Sequence, residues 1–121
     1  AAISQAYERQ NAAAELQYTA RMSLQVIRDD IKKARQVEIL DNGNRIKLVH
    51  SKTEVYYYYV QNEQLYQHGK TKIPVAENVD RVEFYHLLPS LISVSIKGSH
   101  KGQEFLLTTA VTSFLIDNGG D

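Results

Sequence analysis

The residues of this chain with chemical potential are four histidines, an adjacent pair of aspartates, a run of tyrosines and a scatter of lysines. His50, His68, His86 and His100 stand far apart. None has the HExxH spacing or the close pairing that brings two imidazoles onto one metal ion. Solvated or internally satisfied histidines are expected. Asp29 and Asp30 are neighbours, and adjacent residues on a helix point about 100° apart, so the two carboxylates do not easily share a proton or a metal. Helix surface charge accounts for them. No serine sits in a GxSxG elbow or an SxxK arrangement. The chain has no cysteine, which removes disulfides, thiolate nucleophiles and Cys-based metal sites. Neither catalysis nor a cofactor is expected.

The most unusual run is Tyr56-Tyr57-Tyr58-Tyr59, bounded by Val55 and Val60. Alternation along a strand sends Tyr57 and Tyr59 to one face and Tyr56 and Tyr58 to the other. In a central strand such rings line a core on one side and partly cover the outer face on the other. The functional alternative is an exposed aromatic ladder that meets a neighbouring subunit, a sugar or a nucleic-acid base. Tyr56 and Tyr58, with Lys70, Lys72 and Lys101 in nearby loops, form the candidate ligand or partner surface. Arg28, Lys32 and Arg35 are helically related and basic. Fourteen basic residues nevertheless balance fourteen acidic ones. A domain devoted to duplex DNA is usually clearly basic, so solubilising lysines are favoured over a nucleic-acid patch.

The element that must carry much of this is a long N-terminal helix. The first 42 residues contain neither Gly nor Pro, and Ser4 to about Gln36 reads as one unbroken helix. Thirty-three residues at the helical rise make a rod of roughly 50 Å, against about 30 Å for a domain of the remaining residues. The first half of the rod is therefore expected to protrude. Ala13, Leu16, Ala20, Leu24, Ile27, Ile31 and Ala34 follow steps of three and four, the stripe expected to pack on a sheet. A second series, Tyr7, Ala14, Tyr18 and Met22, runs on roughly the opposite side. It is the candidate subunit-packing face, and Ala12, Ala13 and Ala14 beside it would let another helix approach closely.

Strands follow. Val37–Leu40, Ile46–His50, Val55–Val60 and Gln64–His68 are separated by short turn-forming links, of which Asp41-Asn42-Gly43-Asn44 is the strongest. They read as a consecutive antiparallel meander. Residues 69–79, with Gly69 and Pro74, read as a crossing loop, and 98–102 as another. A second β group contains Val82 and Phe84, then Ile92, Val94 and Ile96, then Phe105, Leu107, Thr109 and Val111. The tail from Asp117 to Asp121 reads as frayed. The expected fold class is α+β, a long N-terminal helix packed on an antiparallel meander with a second small β group. Residues 1–36 form the helix and 37–121 the β-rich part of the same single domain.

This plan resembles that of type IV pilin-like proteins. The segment from Arg21 to Ala34, with its Asp30-Ile31-Lys32-Lys33-Ala34 element, is similar to the helix end of minor pilins and pseudopilins. Val37-Glu38-Ile39-Leu40, Asn42-Gly43-Asn44, Val55-Tyr56-Tyr57-Tyr58, Phe84-Tyr85 and Leu106 to Val111 resemble the PilW-like and type II secretion J-type pseudopilin group. The resemblance implies a structural subunit acting in assembly or initiation of a type IV pilus, competence or type II secretion filament. It implies other pilin or pseudopilin subunits as partners and a cell-surface location. It also implies membrane anchoring before assembly, through an apolar segment preceding Ala1. The alternative is a filament-tip or surface module that recognises DNA or another extracellular ligand through the tyrosine strand or the lysine loops. A cystatin-like inhibitor is set aside because its Gln-x-Val-x-Gly hairpin is absent.

Overall fold

The structure, a computed structural model, describes residues 2–113, with side chains from Ala14 onward. Helix α1 spans Ala2–Lys33. Lys32 and Lys33 occupy its last turn, where positive charge complements the carbonyl end of the helix dipole. It closes with a tight bond from Ala34 N–H to Ile31 O at 3.2 Å, and the next amide, Arg35 N–H, donates to Val49 O at 2.8 Å. The helix thus ends where the chain enters a sheet.

Eight strands follow: β1 (Gln36–Leu40), β2 (Arg45–Val49), β3 (Val55–Gln61), β4 (Gln64–His68), β5 (Lys72–Glu77), β6 (Val79–Leu88), β7 (Leu91–His100) and β8 (Gln103–Thr112). The first five form one sheet in chain order and the last three another, every neighbour antiparallel. The turn expected at 41–44 is a short 3-10 segment, Asp41–Gly43, with Asn42 and Gly43 at positive φ. Residues 72–77, expected as loop, are instead β5. Pro74 cannot donate to a ladder, but β5 lies at the sheet edge, where one face of its backbone needs no partner. The register shifts between Leu65 and Tyr66 to accommodate it. The loop expected at 98–102 is likewise a strand end. Only Lys101 and Gly102, with φ of 50° and 77°, separate β7 from β8, the left-handed pair a two-residue hairpin requires. Gly98 lies within β7 because a Cβ there would run into the Asn78 carbonyl and the Phe105 ring.

The expected arrangement, a long helix packed on a meander, is overturned. The chain is mostly β, eight antiparallel strands in two sheets with a single helix among the described residues. The apolar face of the meander, with Ile46, Leu48, Tyr58 and Leu65, meets β6 of the second sheet. Helix α1 lies chiefly against β8 and β7 and touches the meander at β5. The cause is the second sheet itself. Val82, Phe84, Ile92, Val94, Ile96 and Val111 give it an apolar face broad enough to cover both the meander and the helix. All three share one core, in which Ile27, Ile31 and Ala34 are fully buried.

Candidate functional site

Two long sides of α1 are apolar, and they have opposite fates. Leu16, Ala20, Ile27 and Ile31 are buried. Ser23 joins them in place of the expected Leu24, which is half-buried. Ser23 can occupy that position because its hydroxyl donates to Thr19 O at 2.7 Å, leaving no unpaired donor inside. On the other side Ala14 is exposed, Tyr18 is 67% exposed and Met22 45%. Val26, one further step of four along, is 37% exposed and extends this ridge. Val26 was missed in the sequence, although its spacing from Met22 repeats that of Met22 from Tyr18. Tyr7 and Ala13 fall outside the residues whose side chains are described, and within the half of the rod expected to protrude Leu16 and Ala20 are already buried.

A polar latch joins α1 to the meander. The Tyr58 hydroxyl donates to Asp30 Oδ2, and Gln67 Nε2 donates to the same carboxylate oxygen at 3.1 Å and to the Tyr58 hydroxyl at 2.8 Å. Burial, then the hydrogen bond to Asp30 and its charge, push the Tyr58 phenol far above its ordinary value. Tyr58 therefore stays protonated and keeps donating. Two sequence expectations change here. Asp30 is more than helix surface charge, and Tyr58 is fully buried, so it cannot belong to a ligand surface. Tyr56 is half-buried, its ring edge-on to His50 with centroids 5.5 Å apart.

The outward-facing side of the tyrosine strand is the other pair, Tyr57 half-buried and Tyr59 buried. On the outer face of the meander, the Arg45 guanidinium lies 4.3 Å from the Tyr59 ring centre and 5.9 Å from that of Tyr57. Lys72 Nζ lies 4.2 Å from the Tyr66 ring centre and 5.8 Å from that of Tyr59. The Tyr59 hydroxyl and His68 Nδ1 share a hydrogen bond of 2.8 Å. Antiparallel register explains the grouping, since Arg45 pairs with Tyr59, Tyr59 with Tyr66, and His68 with Lys72. Cations over ring faces are attracted by the ring quadrupole. They also cover the rings, and Tyr59 is only 9% exposed.

Of the lysines grouped in sequence, only Lys72 joins this face. Lys70 lies by the β4–β5 turn, near Glu54, Tyr56 and Ile73. Lys101 sits in the β7–β8 turn with Glu63 and Asn78 nearby. On the outer face of the second sheet, Tyr85 and Arg81 both bond Glu83 and hold its carboxyl below the usual range, while Glu83 raises the Tyr85 phenol. Among the described residues, no three His, Asp or Glu side chains come together to hold a metal ion. No described helix is long and apolar enough to cross a membrane. The arrangement offers contact surfaces: an apolar helix ridge and a sheet face of rings covered by cations.

No family model, curated protein or solved structure matches this chain.

Proposed function

We propose that this chain is a structural subunit of a filament, a minor pilin or pseudopilin that acts in assembly or initiation of a type IV pilus, competence or type II secretion system. The observation that carries the reading is the Ala14-Tyr18-Met22-Val26 ridge. An isolated exposed apolar residue is ordinary, but three large ones at successive steps of four make a continuous strip on one helix. From Leu16 to Ile31 the opposite side of the same helix is engaged with its own core, which leaves the ridge to meet helices of other pilin-like subunits at the cell surface. The test is to place Tyr18→Asp and Met22→Asp together in the full-length protein in its native host. Filament assembly or function should be lost while the protein accumulates at its normal level. Unchanged filaments at normal protein level would remove the reading.

A second reading is supported by the outer face of the meander: a surface module that recognises DNA or another anionic ligand through Arg45 and Lys72. Because Tyr59 is nearly covered, this reading relies on the cations more than on base stacking. A DNA mobility shift at low salt, weakened by Arg45→Ala and Lys72→Ala and by added salt, would favour it. Absence of any shift at low salt would remove the nucleic-acid form.

A further inference from the structure

Two sheets with free ends have four edge strands, and three of them are blunted. β1 has five residues, too few to template a long partner. β5 carries Lys72 and Pro74, both of which discourage another strand from pairing. β6 is approached by the 41–43 turn, where a Cβ on Gly43 would lie 3.0 Å from the Phe84 carbonyl oxygen. β8 differs. It is ten residues long, Gln103-Glu104-Phe105-Leu106-Leu107-Thr108-Thr109-Ala110-Val111-Thr112, and contains no Pro, no Lys and no Gly. Apart from its ladder to β7, its backbone makes no hydrogen bond to other described backbone groups. Leu106 on it is 66% exposed.

A groove of about 590 Å³ runs between this strand and α1. Leu107, Thr108 and Thr109 line it on the strand side, and Arg21, Leu24, Gln25, Arg28, Asp29 and Lys32 line it on the helix side. Among the described residues none of the three cations is in an ion pair, since the pairs that occur are Arg45–Asp41 and Arg81–Glu83. Three positive charges against one carboxylate thus border an unpaired strand edge.

We propose that the β8 edge is a strand-addition site, and that it takes an extended segment of another protein in which acidic and apolar residues alternate. Backbone pairing along β8 would supply sequence-independent affinity, as in other cases of β-augmentation. Side chains on the helix-facing side of the added strand would meet Arg21, Arg28 and Lys32, and these are where acidic residues belong. Charge also argues against a second copy of this chain. A symmetric β8–β8 pairing would bring two helices and their unpaired cations to the same face of the joined sheet, and β8 itself supplies only Glu104 to offset them. The inference is independent of the filament reading, because it concerns a different flank of α1.

The probe is a synthetic ten-residue peptide of alternating Val and Glu, compared with its Val–Lys counterpart and with the Val–Glu peptide carrying a central Pro. Binding to the 121-residue chain is followed by amide NMR shifts and by hydrogen exchange of β8. The Val–Glu peptide should shift and protect β8 amides, and should bind about tenfold or more tighter than either control. Arg28→Glu together with Lys32→Glu, exposed or half-exposed positions whose exchange leaves the core intact, should weaken it by a similar factor. Equal binding of the Val–Lys peptide, perturbation centred on β1 or β5, absence of any β8 shift, or self-association through β8 would each overturn the proposal.

Discussion

The two apolar sides of α1 are built from similar residues and differ only in what faces them. Ala20, Ile27 and Ile31 are sealed against the second sheet, while Tyr18, Met22 and Val26 stand in water on the same turns of the same helix. Hydrophobic spacing therefore identifies a contact face without saying whether the contact lies within the molecule. Only the rest of the fold decides that. Burying apolar surface is worth about 25 cal/mol per Å². The buried side thus contributes to folding, and the exposed side leaves a comparable term unused by this domain alone.

Truncating side chains on each side in turn separates the two most clearly. Ile31→Ala should lower the unfolding free energy by about 2–5 kcal/mol, because a fully buried side chain leaves a cavity its packed neighbours cannot fill. Chemical denaturation would measure it, and a much smaller loss would mean that the buried side is not what holds the helix down. The latch comes next. Tyr58→Phe leaves Asp30 with Gln67 alone and should cost about 1–3 kcal/mol by the same measurement.

Tyr58 also imposes a pH signature. Its phenol is raised in the folded state above the ordinary value of 10.0, so above that pH the unfolded chain loses this proton first. The stabilising contribution is complete below about pH 10 and declines as pH rises further. In Tyr58→Phe the alkaline fall in stability should be shallower than in the parent chain. Identical alkaline profiles would show that the latch is not the titrating element. The smallest expected effect is on the other side of the helix. Met22→Ser should change the stability of the isolated chain by no more than about 0.5 kcal/mol, because Met22 lies outside the buried core. A loss comparable to that of Ile31→Ala would erase the distinction between the two sides.

The buried stripe was legible because a 3.6-residue period leaves few choices. Leu16, Ala20, Ile27, Ile31 and Ala34 are all buried as their spacing predicts. Ser23 was not legible, since its place inside depends on a bond to its own helix backbone. Four meander strands and the turn after β1 followed from alternation and from Asn42 and Gly43. β5 did not, because Pro74 signals a break unless the strand is known to lie at an edge. The largest failure concerned partners. Alternation shows that Ile92, Val94 and Ile96 share a face, but it does not say that this face takes the helix while the meander packs on β6. Which pair of the tyrosine run faces outward was hidden for the same reason. Period two separates Tyr56 and Tyr58 from Tyr57 and Tyr59, and tertiary packing decides which pair is inside.

The proposed contact between the ridge and other subunits can be trapped covalently, because these 121 residues include no cysteine to compete. Single cysteines at Tyr18 and Met22, and a control at Gln17 beside the ridge, would be introduced into the full-length protein in its native host and oxidised in intact cells. Disulfide-linked products joining this chain to a second subunit are expected from Tyr18→Cys and Met22→Cys, at clearly higher yield than from Gln17→Cys when neighbouring helices carry a matching cysteine. Equal yields at all three positions, or no linked product at any of them while filaments form normally, would mean that the ridge is not a contact face between subunits.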